Sequence, residues 1–157
     1  VFDTAGRQWF SLYDRDPHVL LPLAEAARVK MMQYVQTELD RHQISDSKVV
    51  MSGFSQGCMM AFTASYNDPS FNPAGILGYS GRYLSVDNPA KAKDIPVCLV
   101  HGDADDVLPI DHFHASVEAL ESANIQPESH IRPGLTHAID QEGLDLGMTF
   151  IRKQLYG

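Results

Sequence analysis

The order of apolar and polar positions divides the chain into alternating helices and strands. Leu20, Ala24, Ala27, Met31, Tyr34, Val35 and Leu39 recur at intervals of three and four, which predicts one long helix with those residues inward. Ile44-Ser45-Asp46-Ser47 ends it. Val49-Val50-Met51 is a short β-branched run and reads as a buried strand. Gly53-Phe54-Ser55-Gln56-Gly57 follows, then a second helix carrying Met59, Met60, Phe62 and Tyr66 up to the stop at Asn67-Asp68-Pro69. Ile76 to Tyr79 and Ile95 to Val100 predict two further buried strands, with a polar loop over 85–94 between them. Pro109 suits the opening of a third helix with Phe113, Val117 and Leu120 inward, closed by Asn124. Glu128 to Ile131 is a fourth strand, polar enough for a sheet edge. Asp140 caps a last helix whose predicted inner face is Leu144, Met148, Ile151 and Leu155. The first eighteen residues, broken by Gly6, Asp14, Asp16 and Pro17, show no period.

Strands separated by helices pair in parallel through right-handed crossovers. Continuous apolar runs fit strands covered on both faces. The expected fold is therefore α/β, a three-layer single domain over 1–157 built on a parallel sheet of about four strands.

Composition narrows the function classes. The 157 residues are 44% hydrophobic and 20% charged, as in an ordinary globular domain with its own core. Twenty acidic side chains against twelve basic ones give a net charge of -8, which repels phosphate backbones and argues against a nucleic-acid partner. No apolar run approaches the ~20 residues of a membrane span. The opening Val1-Phe2-Asp3-Thr4 has no basic region leading into an apolar stretch, so a cytoplasmic setting is expected. Cys58 and Cys98 sit among apolar residues and read as buried thiols, with no paired spacing that would suggest zinc. Asp111, His112 and His114 fall at the start of the third helix. Histidines two apart do not share a helix face, so the group reads as a solvated helix start and no metal is expected there. Met31-Met32 and Met59-Met60 read as core filler. A nucleotide-binding domain fits poorly, because no glycine-rich phosphate loop follows a strand.

Three segments carry chemistry. Gly53-Phe54-Ser55-Gln56-Gly57 lies between a strand and a helix, the setting of a nucleophile elbow. With glycine near 7% of residues the bare pattern arises by chance in about one chain in twenty of this length, and its placement after a buried strand makes chance a poorer account. A tight turn there exposes the Ser55 hydroxyl in a strained conformation, while the flanking glycines remove side chains that would collide. The Gln56 N–H, at a helix N-terminus, points at a developing oxyanion. His101-Gly102-Asp103-Ala104-Asp105-Asp106 directly follows the third strand, at the sheet edge where α/β proteins bind ligands. Any of its three aspartates could orient a histidine. Pro133-Gly134-Leu135-Thr136-His137 follows the fourth strand and can reach back over that edge. The order Ser, Asp, His matches a hydrolase triad, in which histidine takes the serine proton and the carboxylate fixes its tautomer.

Together with Arg7-Gln8-Trp9-Phe10-Ser11-Leu12 and Arg15-Asp16-Pro17, these segments resemble the bacterial carboxylesterase/phospholipase family, which includes acyl-protein thioesterases, over essentially the whole chain. The resemblance implies an α/β-hydrolase-type sheet and a cofactor-free serine hydrolase acting through an acyl-enzyme. The substrate would be a carboxylic ester or thioester of a small to medium acyl group. It places the triad aspartate four residues after the histidine of the His-Gly segment, at Asp105, beside Ser55 and His137. It also puts Trp9 and Phe10 beside the cleft, and with them Phe54 and Leu135 stand as apolar candidates for the substrate pocket. The front of the chain departs from the family, whose members carry further strands and a His-Gly loop that supplies a second oxyanion donor. Losing such a donor costs roughly 3 kcal/mol of transition-state stabilisation. The strand at Val49–Met51 would then be an open edge, covered in a homo-oligomer or left bare in a piece of a longer protein. The competing expectation is a catalytically weak interaction module that keeps the triad residues.

Overall fold

Helix α1 (Pro17–His42) begins where Asp16 accepts the His18 N–H and Pro17 supplies a helical φ with no amide to satisfy. It ends at Gln43, which turns left-handed at φ 54°. The computed structural model describes residues 8–85 and 94–157; Arg7 and all but the ends of the expected loop over 85–94 lie outside them. Leu20, Ala24 and Leu39 face inward as expected, but Tyr34 is 68% exposed. Successive helical positions are about 100° apart, and Val35 rather than its neighbour takes the inward place against the core.

A short turn at Asp46–Lys48 leads into β1 (Val50–Phe54). There follow α2 (Gln56–Asn67), β2 (Gly75–Tyr79), β3 (Val97–Gly102), α3 (Asp111–Ser122), β4 (Glu128–Arg132) and α4 (Gln141–Tyr156). The four strands form one parallel sheet in the order β1-β2-β3-β4, an α/β-hydrolase-like arrangement. Val50 lies opposite Gly75, Ile76 opposite Val97 and Cys98 opposite Glu128. Helix α3 starts at Asp111, with Pro109 in the turn before it. There the carbonyl of Pro109 accepts the His112 N–H. Ile95 is buried just ahead of β3 rather than within it.

Alternation along β2 and β3 assigns the layers. Ile76, Val97 and Leu99 pack with Phe62 of α2 and with Phe113 and Leu120 of α3. Leu77, Tyr79, Cys98 and Val100 face the other way, onto Phe150 of α4. A further cluster joins Phe10, Leu20 and Ala24 to Met59 and Met60, tying α1 to α2. Helix α2 is buried continuously from Cys58 to Tyr66, because α1 covers the side that the sheet does not.

Helix α4 packs through a different face from the expected one. Leu144 and Met148 are 43% and 46% exposed, while Gly143, Gly147 and Phe150 are buried and Ile151 and Leu155 half-buried. A Cβ at Gly147 would lie 1.8 Å from Tyr79 Oη and 2.9 Å from Leu77 Cδ2. The helix therefore meets the sheet through glycine, which leaves no mark in a hydrophobic period.

Alanine in an ordinary helix interior is worth about 0.5–1 kcal/mol over glycine. At position 147 the clash reverses the sign, and Gly147→Ala is expected to destabilise the fold by about 1–3 kcal/mol. Leu144→Ala, on the open face, shifts the urea midpoint by no more than ~0.5 kcal/mol equivalent. Equal midpoints for Gly147→Ala and the parent would mean that α4 does not sit against Tyr79.

Candidate active site

Ser55 joins β1 to α2 with φ 54° and ψ -117°, a conformation rare for a residue with a side chain. Its N–H donates to the carbonyl of Tyr79 at 2.9 Å, and its own carbonyl accepts the Cys58 N–H at 3.0 Å. The turn is so tight that a Cβ at Gly53 would lie 2.1 Å from the Gly57 carbonyl carbon. Gly57 differs from expectation, since a Cβ there would meet nothing within 4 Å, so packing does not demand glycine at that position.

Gln56 opens α2, where the first amides have no intrahelical acceptor. Its side chain has a task that the sequence reading missed. Oε1 accepts the Trp9 N–H at 2.8 Å and Nε2 donates to the Phe10 carbonyl at 2.7 Å. This clamp holds the segment before α1 across the elbow.

The three aspartates differ in burial and in partners. Asp105 is buried, and its Oδ1 accepts the N–H groups of Val107 at 3.0 Å and Leu108 at 2.8 Å. Its Oδ2 lies 2.8 Å from His137 Nδ1. Asp103 instead accepts the Gly134 N–H at 2.6 Å and anchors the histidine loop, while Asp106 is exposed. Burial works against a charge on Asp105, but the Leu108 amide and His137 outweigh it and hold its carboxyl below the usual range. His101, 1% exposed, stands on the same carboxylate, with Nε2 2.8 Å from the Leu108 carbonyl and 3.3 Å from Asp105 Oδ2. Burial holds His101 below the ordinary histidine value, so it is a neutral donor to Leu108 and not an ion-pair partner. Ser80, left-handed at φ 42°, steadies the far side of the loop by donating to the Ala138 carbonyl at 3.2 Å.

Ser55 and His137 line one cavity of about 250 Å³. Its apolar wall is Leu12, Leu20, Met59, Val107 and Leu108, and its other wall is Arg15, Arg82 and His112. Of the expected substrate residues, none is among those lining it. Phe10 is 7% exposed and belongs to the core beneath α1. Trp9 lines a separate groove with Ala27, Met31 and Tyr34, because the Gln56 clamp turns that segment toward α1. Phe54 packs its ring 4.7 Å from that of His137. Leu135 acts through its carbonyl, which accepts the Ala104 N–H at 3.1 Å. Met59 serves both as core and as cavity wall. The helix start expected to be solvated is so only in part: Asp111 and His114 are exposed, while half-buried His112 meets Arg82 Nη1 at 3.3 Å through Nδ1.

Burial pushes the Cys58 and Cys98 thiols up to about 12, so both are inert fillers. Among the described residues no group of side chains is placed to hold a metal ion, and no helix is long and apolar enough to cross a membrane.

The family model for phospholipases and carboxylesterases matches residues 2–155. Esterase YpfH of Escherichia coli is 27% identical over 148 residues, 94% of this chain and 63% of its own length. Acyl-protein thioesterase 1 homolog 1 of Dictyostelium discoideum is 29% identical over 125 residues, 77% of this chain and 55% of its own. The chain thus spans less than two thirds of either relative. The crystal structure of esterase PE8 superposes with a TM-score of 0.83 at 30% identity, covering 96% of this chain and 71% of that one.

A carboxyl with a depressed pKa stabilises the fold while ionised, and this contribution is lost as pH falls through the depressed value. Asp105→Asn removes it. The stability gap between parent and variant, read from urea midpoints, is expected to be full at neutral pH and to narrow as pH drops below about 4. A gap of the same size well into acid would mean that the fold does not favour the carboxylate.

Proposed function

The chain belongs to the phospholipase/carboxylesterase family, and from that premise we propose that it is a serine hydrolase cleaving carboxylic esters or thioesters of small to medium acyl groups. One observation carries the reading. A serine forced to positive φ at a strand-to-helix turn shares a cavity with a histidine whose Nδ1 is held 2.8 Å from a buried carboxylate. Ser55 Oγ attacks the carbonyl while His137 Nε2 takes its proton, and Asp105 keeps the proton of the neutral ring on Nδ1 and stabilises the imidazolium. The tetrahedral oxyanion is met by the Gln56 N–H at the head of α2. His137 then protonates the departing alcohol or thiol. The same histidine activates water to release the acid from the acyl-enzyme.

Two finer points belong to the same proposal. β1 ends the sheet, with no strand on its outer side among the described residues, and Phe54 on it is 38% exposed. Pairing of this edge with a second copy would satisfy its backbone groups. Two buried, unpaired thiols fit the reducing conditions of the cytoplasm.

Hydrolysis of a short-chain p-nitrophenyl ester should fall on the order of 10⁴-fold or more in Ser55→Ala and in His137→Ala. A folded parent as inactive as Ser55→Ala would instead favour the interaction module. Light scattering at high concentration should give at least twice the mass of one chain, and a strict monomer would remove the edge-pairing idea.

A further inference from the structure

The cavity beside Ser55 has a charge that the rest of the molecule does not lead one to expect. The chain carries an excess of eight negative charges, yet among the described residues no Asp or Glu lines this cavity, while Arg15 and Arg82 do, beside His112, which burial and Arg82 hold below the ordinary histidine value. Arg82 is 6% exposed, an unusual degree of burial for a guanidinium without a paired carboxylate. Its Nη2 donates to the Arg15 carbonyl at 2.5 Å and its Nη1 lies 3.3 Å from His112 Nδ1. Its Nε is buried with no partner. Of the five N–H donors on a guanidinium, one on each Nη is used in these contacts, the Nε donor is sealed from solvent, and the remaining Nη donors are left for a ligand. Asp16 acts on Arg82 through its charge but makes no hydrogen bond to it among the described residues, its Oδ1 capping α1 through the His18 N–H; Asp111 is exposed at the head of α3, and neither lines the cavity. Arg15 is held toward the site by donating from Nη1 to the Val107 carbonyl at 2.6 Å.

We propose that this wall is an anion-recognition site and that Arg82 selects substrates bearing a carboxylate or phosphate group a few bonds from the scissile carbonyl. The inference rests on the hydrolase reading and adds the substrate class to it. Arginine suits the role because its planar fork meets a carboxylate or phosphate with two hydrogen bonds. The apolar wall of Leu12, Leu20, Met59 and Leu108 takes the short chain that links the anion to the ester. At about 250 Å³ the cavity fits a half-ester of a short dicarboxylic acid better than a long lipid chain.

The test compares monoethyl glutarate with ethyl valerate, the same acyl length with and without the terminal carboxylate, by acid release in a pH-stat. The parent is expected to favour the anionic ester in kcat/KM, and Arg82→Gln to lower that preference on the order of thirtyfold. Arg82→Lys, which keeps the charge and loses the fork, should retain part of it. A merely structural arginine would lower both substrates together and leave the ratio alone. That result, or a parent that prefers ethyl valerate, overturns the proposal. Competition by glutarate or by inorganic phosphate identifies which anion is read, and competition by neither also overturns it. If the folded parent hydrolyses neither ester, the hydrolase reading has failed by itself. Calorimetric titration with glutarate and with phosphate then decides the anion site: saturable binding lost in Arg82→Gln upholds it, and no binding to the parent sinks it.

Discussion

Everything at the site follows from one turn. β1 must become α2 within a single residue, and Ser55 is that residue, held at φ 54° by the Tyr79 carbonyl on one side and the first turn of α2 on the other. Such a conformation costs on the order of 1–3 kcal/mol. It persists because the elements on both sides are fixed independently. β1 is paired along its length with β2, and α2 is buried from Cys58 to Tyr66 between the sheet and α1. The turn also sets where other parts go. The helix that starts at Gln56 uses that residue's side chain to hold Trp9 and Phe10, and so decides which surface the front of the chain covers.

The architecture was legible in the sequence because it is written in side-chain periods. The strands lie within a few residues of their expected places, and the order of segments brought Asp105 and His137 to the sheet edge that carries Ser55. The departures have separate causes. Gly143 and Gly147 make the closest contact of α4 with the sheet, yet an absent side chain has no hydrophobicity to count, so Leu144 and Met148 were assigned the inner face. Tyr34 and Val35 are neighbours of similar character, and only packing chooses between them. The resemblance puts Trp9 and Phe10 beside the cleft, but the hydrogen bonds of Gln56, more than forty residues along the chain, hold that segment toward α1. Arg82 carried no signal at all. It follows β2 in an irregular stretch, and nothing local announces that it will meet Arg15 and His112, 67 and 30 residues away.

That last meeting changes how the site is to be understood. Arg82 donates to the carbonyl of Arg15, Arg15 donates to the carbonyl of Val107, and the Val107 amide donates to Asp105, whose other oxygen holds His137. The two arginines of the cavity wall and the Asp105–His137 pair are therefore steps of one hydrogen-bonded series. Val107 and Leu108 belong to both, as cavity wall through their side chains and as supports of Asp105 through their amides. His101 braces the same stretch by donating to the Leu108 carbonyl from beneath.

A scaffold shared in this way limits what can vary. A change that moved the 107–108 wall would also shift two of the amides that keep Asp105 ionised, and with them its contact to His137. The apolar positions on α1 and α2, Leu20 and Met59, have no such second duty toward the base. Met59 is unbranched and flexible, and it can reshape the cavity with little effect on the backbone. The cavity is therefore open to adjustment from the helix side, whereas the side that carries Arg15 and Val107 is tied to the Asp105–His137 geometry. In an acidic protein that arrangement keeps two arginines in the same cavity as Ser55, where no carboxylate lines the wall among the described residues.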